Sequence, residues 1–189
     1  MKKMTTLKQC VIAMAVVLNM VGAFIALTLQ IPIYLDSIGT VLVASLLGPM
    51  YGAVTGLLSG LLSGLTFDIY SLYYIPAQIL TGYMAGMIYR KTRCMHGKVF
   101  PLGILGISIP TSIASAIVTA FVFSGFTSSN STYLVVVMNK MGISLVMSCF
   151  IVQALTDFCD ELVASIITRK LLKSMSSDMK TKIRGTNRL

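Results

Sequence analysis

Long, nearly unbroken apolar blocks dominate the chain, and polar positions fall mainly between them. The first block runs from Val11 to Leu29 and is interrupted only by Asn19 and Thr28. It follows a basic start, Met1-Lys2-Lys3-Met4-Thr5-Thr6-Leu7-Lys8, in the manner of a signal-peptide n-region. The block is too long for an h-region, and Gln30-Ile31-Pro32-Ile33-Tyr34 offers no small-residue cleavage site, so it reads as a retained first helix. A shorter stretch from Ile38 to Leu47 ends at Gly48-Pro49. Tyr51 to Leu65 makes a third segment and Leu72 to Tyr89 a fourth. Phe100 to Phe126 is a fifth, long enough to tilt or to bend at Pro110.

Thr132 to Lys173 fits neither one crossing nor two. As a single helix it would run about 63 Å at ~1.5 Å per residue, twice the hydrocarbon thickness. Two full crossings would put the basic C-terminal residues on the wrong side. The pattern predicts a final span over about Leu155 to Leu172, preceded by an apolar helix or re-entrant hairpin near the outer face. The expected fold is an all-α integral membrane protein, a compact six-helix bundle with an extra apolar helical element before the last span. Residues 1–175 form one transmembrane domain and 176–189 a basic cytoplasmic tail.

Composition agrees with this. Of 189 residues, 56% are hydrophobic and 11% charged, with mean hydropathy +0.85, whereas a soluble domain carries about 25% charged residues. A disordered chain would lack the apolar content. Six spans of about 20 residues use about 120 positions, which leaves no room for a nucleotide-binding domain. The net charge of +9 points to nucleic acid only if the basic residues form a surface patch. They do not. Lys2, Lys3 and Lys8 precede the first helix, and Arg90, Lys91, Arg93 and Lys98 lie between the fourth and fifth. Arg169, Lys170, Lys173, Lys180, Lys182, Arg184 and Arg188 close the chain, so 14 of the 15 Lys and Arg sit in three clusters and only Lys140 lies outside them. By the positive-inside rule both termini and the 90–98 loop are cytoplasmic, in a multi-pass protein of the cell membrane. The tail also suits contact with anionic lipid headgroups. Nucleic-acid binding is not expected.

Glycine recurs every four residues through Gly52, Gly56, Gly60 and Gly64, with Thr55, Ser59 and Ser63 alongside. In lipid, helices pack by close backbone approach over small residues. The stripe is either internal packing or a face that slides or docks against another protein. Ala15, Asn19 and Ala23 form a similar line on the first helix, open to the same two readings: an interhelical hydrogen bond from Asn19, or a contact surface for a membrane partner.

The polar residues expected on the outer half are few. Asp36 follows the first helix; Asp68, Tyr70, Tyr73 and Tyr74 cluster in the next outer loop, with Gln78 one turn deeper. Asn139 and Lys140 lie before the last span, and Asp157, Asp160 and Glu161 near its start. Ionisable groups at membrane depth mark a pathway, a pair or a binding site, and aromatic walls with a few polar groups suit a small hydrogen-bonding ligand. Competing structural roles are an ion pair of Lys140 with Asp157 or Asp160, an N-cap on the second helix from Asp36, and an interfacial aromatic belt from the tyrosines. Catalysis and metal binding are not indicated. The single histidine, His96, sits in a basic loop, and Cys10, Cys94, Cys149 and Cys159 form no CxxC.

The run Leu35-Asp36-Ser37-Ile38-Gly39-Thr40 through Leu47-Gly48-Pro49-Met50-Tyr51-Gly52 is similar to an LDTIGT…LGPWYG signature, with Ser37 for Thr and Met50 for Trp. That signature belongs to one branch of the S-components of energy-coupling factor (ECF) transporters. Leu155 to Ser165 resembles the branch's L.D..DK.IS motif, with Glu161 in place of the basic residue. The resemblance implies a subunit that captures a vitamin or related micronutrient beneath its first outer loop. It would then pass the ligand through a transmembrane coupling subunit driven by two ATPase subunits that consume ATP. No cofactor would belong to this chain, and it would not be an enzyme. The family's helix-1 docking pattern maps to Ala15, Asn19 and Ala23, and its pocket to Tyr34, Asp36, Tyr74, Gln78, Asn139, Lys140 and Asp157. Two other classes fit the residues: a self-sufficient secondary transporter or channel, and a membrane scaffold in which Lys140, Asp157 and Asp160 form a structural network.

Overall fold

The computed structural model describes residues 5–90 and 99–184. The expected basic residues at positions 2, 3, 91, 93, 98 and 188, and most of the 90–98 loop, lie outside the described residues. Within them the fold is entirely helical. Helix α1 covers Thr6–Thr28, α2 Ile38–Leu47, α3 Pro49–Thr66, the short α4 Tyr70–Tyr73 and α5 Ile75–Arg90. Then come α6 (Phe100–Ile117), α7 (Ser131–Lys140), α8 (Leu145–Ser174) and α9 (Ser177–Arg184). A π-helical turn, Val118–Val122, continues α6. By length and apolar composition two helices are candidate membrane spans, Thr6–Thr28 and Phe100–Val122.

A ten-residue helix, α7, precedes the last long helix, α8. The last helix is longer than expected, starting at Leu145 rather than near Leu155. Ser144 supplies the reason: its hydroxyl caps the helix by accepting from Met147 N at 3.4 Å, ten positions earlier than the apolar pattern alone places the start. The turn before it uses Gly142 at φ 91°, which reverses the chain after α7.

The interior is rich in polar side chains, and many large apolar ones are exposed. Among the described residues the interior holds as many polar as apolar side chains, 20 of each. The outward faces carry Met14, Val17, Val21 and Phe24 on α1, Leu61 and Leu65 on α3, and Leu102, Ile109, Ile113 and Phe121 along α6 and its π turn.

Small residues set the helix spacing. A Cβ on Gly56 would overlap the Gln78 carbonyl, and one on Gly82 would overlap that of Gly52, so α3 and α5 meet backbone to backbone. Of the two readings of the glycine stripe, the structure shows internal packing. Helix α2 lies at the centre, against α1, α3, α5 and α8, and at ten residues it is too short to cross a bilayer alone. Its N-terminus is not capped by Asp36. Asn19, fully buried on α1, accepts from Gly39 N at 2.6 Å and donates to Thr40 Oγ1 at 2.8 Å and Ser59 Oγ at 2.9 Å. It therefore satisfies a backbone N–H that α2 leaves open and joins three helices.

This corrects the docking expectation. Ala15 and Asn19 face α2 inside the chain, where Gly39 sits against the Ala15 carbonyl. They present no surface to a partner, because an Asn in an apolar layer is held by the polar groups it can reach. Ala23 is half-buried beside the loop that follows α1.

The two ends of the bundle differ. At one, Lys8 lies over the Tyr51 ring at 5.5 Å, Arg90 approaches Gly48, and the Arg169 guanidinium stacks on Phe100 at 4.5 Å. Helix α9 rests near this end on α2, with Ile183 buried. At the other end the segments around Gln30, Asp68 and Asn130 converge, joined by Asn130 Nδ2 donating to the Gln30 carbonyl at 2.8 Å and Ser128 Oγ to Asp68 at 3.0 Å.

Replacing Asn19 by Ala should lower unfolding stability by about 1–3 kcal/mol, the cost of a buried unsatisfied group. Met14→Ala on the outward face should leave it unchanged. Thermal unfolding in detergent reads both; a wild-type melting temperature for Asn19→Ala would refute the three-helix joint.

Candidate binding site

Beneath the converging loops lies a cavity. Five of the chain's six acidic residues line it: Asp36, Asp68, Asp157, Asp160 and Glu161. Among the described residues its wall carries no Lys, Arg or His. Tyr34, Tyr74, Gln78, Gln153 and several Ser and Thr hydroxyls complete it.

Helix α8 supplies one wall. Gln153, Asp157, Asp160 and Glu161 recur at helical spacing, so one face of α8 is polar over more than two turns. The Asp160 carboxylate accepts from Leu35 N at 2.7 Å and Ser37 Oγ at 2.8 Å. Leu35 stands at φ 52°, a left-handed conformation that disfavours a side chain. Its bond to Asp160 holds that turn, which brings both neighbours, Tyr34 and Asp36, to the cavity wall. Gly22 on α1 makes the fold possible, since a Cβ there would overlap the Leu35 carbonyl.

Helix α5 supplies the facing wall. Gln78 Nε2 donates to Asp36 Oδ2 at 2.6 Å. The Tyr74 and Thr119 hydroxyls are 2.6 Å apart, and Gln153 Nε2 donates to the same Thr119 at 2.8 Å. Thr119 serves both because the π turn rotates it inward from α6. At the mouth, Asp68 accepts from Ser71 and Ser128, both at 3.0 Å, and ties two loops together. Phe123 gathers the aromatic rim: Tyr70 and Tyr73 lie 4.7 and 5.1 Å from it, and Tyr74 stacks at 6.2 Å.

Several buried polar atoms have no protein partner: Gln78 Oε1, Asp157 Oδ2, Glu161 Oε2 and the Tyr34 hydroxyl at the cavity, and the Tyr89, Ser165 and Thr168 hydroxyls further along the bundle. Below the cavity, on α2, α5, α6 and α8, the next residues inward are Val41, Ala44, Ala85, Ile107 and Ala164, packed with Ile88, Phe100 and Ile167. The side chains packed below the cavity are thus uncharged, with the Tyr89, Ser165 and Thr168 hydroxyls among them.

Of the expected pocket residues, Tyr34, Asp36, Tyr74, Gln78 and Asp157 meet at this cavity. Asn139 and Lys140 do not. Both are exposed at the end of α7, where Asn139 Nδ2 donates to the Ile143 carbonyl at 3.2 Å. The expected Lys140 pair with Asp157 or Asp160 is absent: the turn after α7 leads Lys140 out of the bundle, while both acids point inward from α8. Residues the sequence reading passed over as pocket members include Gln153, Ser37, Thr40, Thr111 and Ser115. Gln153 was legible in the polar period of α8 once the helix is extended to Leu145. The hydroxyls carry no sequence signal that separates them from ordinary helix packing.

Compared with family models, with curated proteins and with solved structures, the chain finds no match in any of the three.

Burial, and then the nearby charge of Asp160, push the Asp36 carboxyl up to about 7. A carboxyl whose folded pKa lies above its unfolded value costs stability as pH rises from about 4, where only the unfolded chain ionises, and the cost is fully developed above about 7. Asp36→Asn keeps an acceptor for Gln78, so it should raise stability at pH 8 by roughly 1 kcal/mol or more. The gain should fade as pH falls toward 4. Melting curves across that range check it, and a gain independent of pH would contradict the assignment.

Proposed function

We propose that this chain is the substrate-capture subunit of an ATP-driven importer of the ECF type. It would bind a small vitamin-like micronutrient in the cavity and deliver it through a partner membrane subunit energised by two ATPase subunits. The observation that carries the reading is the cavity: a polar, partly unsatisfied chamber with uncharged side chains packed below it. Such a chamber retains a ligand. Passage needs a change that the isolated bundle has no charged path to support, so a partner is required.

Membrane residence follows from the exposed apolar surface. Apolar residues outward and hydroxyls and amides inward suit a hydrocarbon solvent, in which every polar group must find its partner inside the protein. The orientation rests on charge. Lys8, Arg90, Arg169, Lys170 and Lys173 lie at the end away from the cavity, and the positive-inside rule turns that end to the cytoplasm. The cavity then opens outward, as uptake demands. The LDTIGT-like run adds specific support: it contains Asp36, Ser37 and Thr40 of the cavity wall together with Gly39, the glycine that docks α2 on α1.

Protein purified gently from its native membrane should carry a small molecule that mass spectrometry detects after denaturation. Gln78→Ala should reduce its occupancy at least roughly tenfold, a loss of about 1.4 kcal/mol, and should also lower the melting temperature of the ligand-free protein, because the tie to Asp36 is lost. The pure chain in liposomes should move no solute on its own. Flux down an ion gradient without ATPases would overturn the capture reading in favour of a secondary transporter.

A further inference from the structure

Of the unpartnered buried atoms on the cavity wall, Gln78 Oε1, Asp157 Oδ2 and Glu161 Oε2 are hydrogen-bond acceptors, and the Tyr34 hydroxyl can accept or donate. The other acids on the wall are already engaged: Asp160 by Leu35 and Ser37, Asp36 by Gln78, and Asp68 by Ser71 and Ser128. Asp157 and Glu161 stand one turn apart on α8, a spacing that puts their carboxyl groups side by side. Glu161 is only 2% exposed, yet one of its oxygens has no partner. A carboxylate in that position is costly unless a cation or strong donors meet it. No basic side chain on the wall does so. An inorganic ion fits poorly, because among the described residues no three His, Cys, Asp or Glu are grouped closely enough to hold a metal. The tyrosine rings, Tyr34 and Tyr74 at 6.4 Å between centroids, add faces that favour a flat cation.

We propose that the ligand is a flat organic cation with a forked pair of N–H donors, of the amidinium or protonated amino-heterocycle class, seated on Asp157 and Glu161. This rests on the reading of the cavity as a capture site and narrows it. The two carboxylates take the forked donors, Gln78 Oε1 accepts a further N–H, and the tyrosines line one side of the ring. An anionic compound meets no basic side chain on this wall.

Three isosteric probes separate the charge states: benzamidinium, benzamide and benzoate, titrated into the full-length protein in nanodiscs by ligand-observed NMR or calorimetry. Benzamidinium should bind about tenfold more tightly than benzamide, a difference of about 1.4 kcal/mol, with benzoate weakest. Glu161→Gln should remove that advantage and bring benzamidinium level with benzamide. Asp157→Asn repeats the test in case the first variant does not fold, with the melting curve of each as the control. Benzoate or benzamide binding as well as benzamidinium would overturn the proposal. A neutral or anionic molecule co-purifying with the protein would overturn it too, while leaving the capture reading intact. If no molecule co-purifies and no probe binds, both fall together.

Discussion

A single carboxylate, Asp160, closes the structure on itself. Its two oxygens reach Leu35 N and Ser37 Oγ, partners 125 and 123 positions away in the chain. Without them the segment between α1 and α2 has no reason to hold Leu35 in a left-handed turn, a conformation that costs about 1–2 kcal/mol for a residue with a Cβ. With them, Tyr34 and Asp36 line the cavity on either side of that turn. The bond is formed beneath the loop, away from bulk water, where competition from solvent is weak and a charge-assisted hydrogen bond is strongest. Gln78 then adds a second tie from α5 through Asp36. The mouth, the aromatic rim and the facing helices are arranged around these few contacts.

The same economy of polar groups organises the rest of the bundle. Asn19 joins α1, α2 and α3, and Thr119 joins α5 to α8 through Tyr74 and Gln153. Between these joints the helices meet over glycine. Gly52, Gly56 and Gly82 remove side chains where α3 and α5 touch, so dispersion contacts between backbones replace the apolar layer of a soluble core. The apolar side chains freed from interior duty face outward. Packing and hydrogen bonding therefore do inside this chain what water exclusion does in a soluble globule.

Much of the architecture was legible in the apolar blocks, because a stretch of twenty apolar residues has few alternatives to a helix. The Ile38–Leu47 block becomes α2 with the same limits, and the Gly48-Pro49 break separates it from α3 as the residues suggest. Tertiary distance was not legible. Lys140 and Asp157 are 17 positions apart and of opposite sign, which invites pairing. The turn at Gly142 sends the lysine outward instead. The line of Ala15, Asn19 and Ala23 shows a face of small residues without saying what covers it, and α2 covers most of it. In the cavity, charged and aromatic members stood out against an apolar background. The serines and threonines did not, since helix interiors in lipid use the same residues for packing.

Helix α8 holds one property that bears on how the whole molecule moves. Its 30 residues contain neither glycine nor proline, so at ~1.5 Å per residue it is an unhinged rod about 45 Å long. Its N-terminal half carries Gln153 and Asp157, and its far end Arg169, Lys170 and Lys173. Helix α6, by contrast, contains Pro110 and runs into a π turn. The acids near the middle of α8 and the basic residues at its end therefore move as one body, so a tilt of the basic end changes the distance between the cavity's two walls.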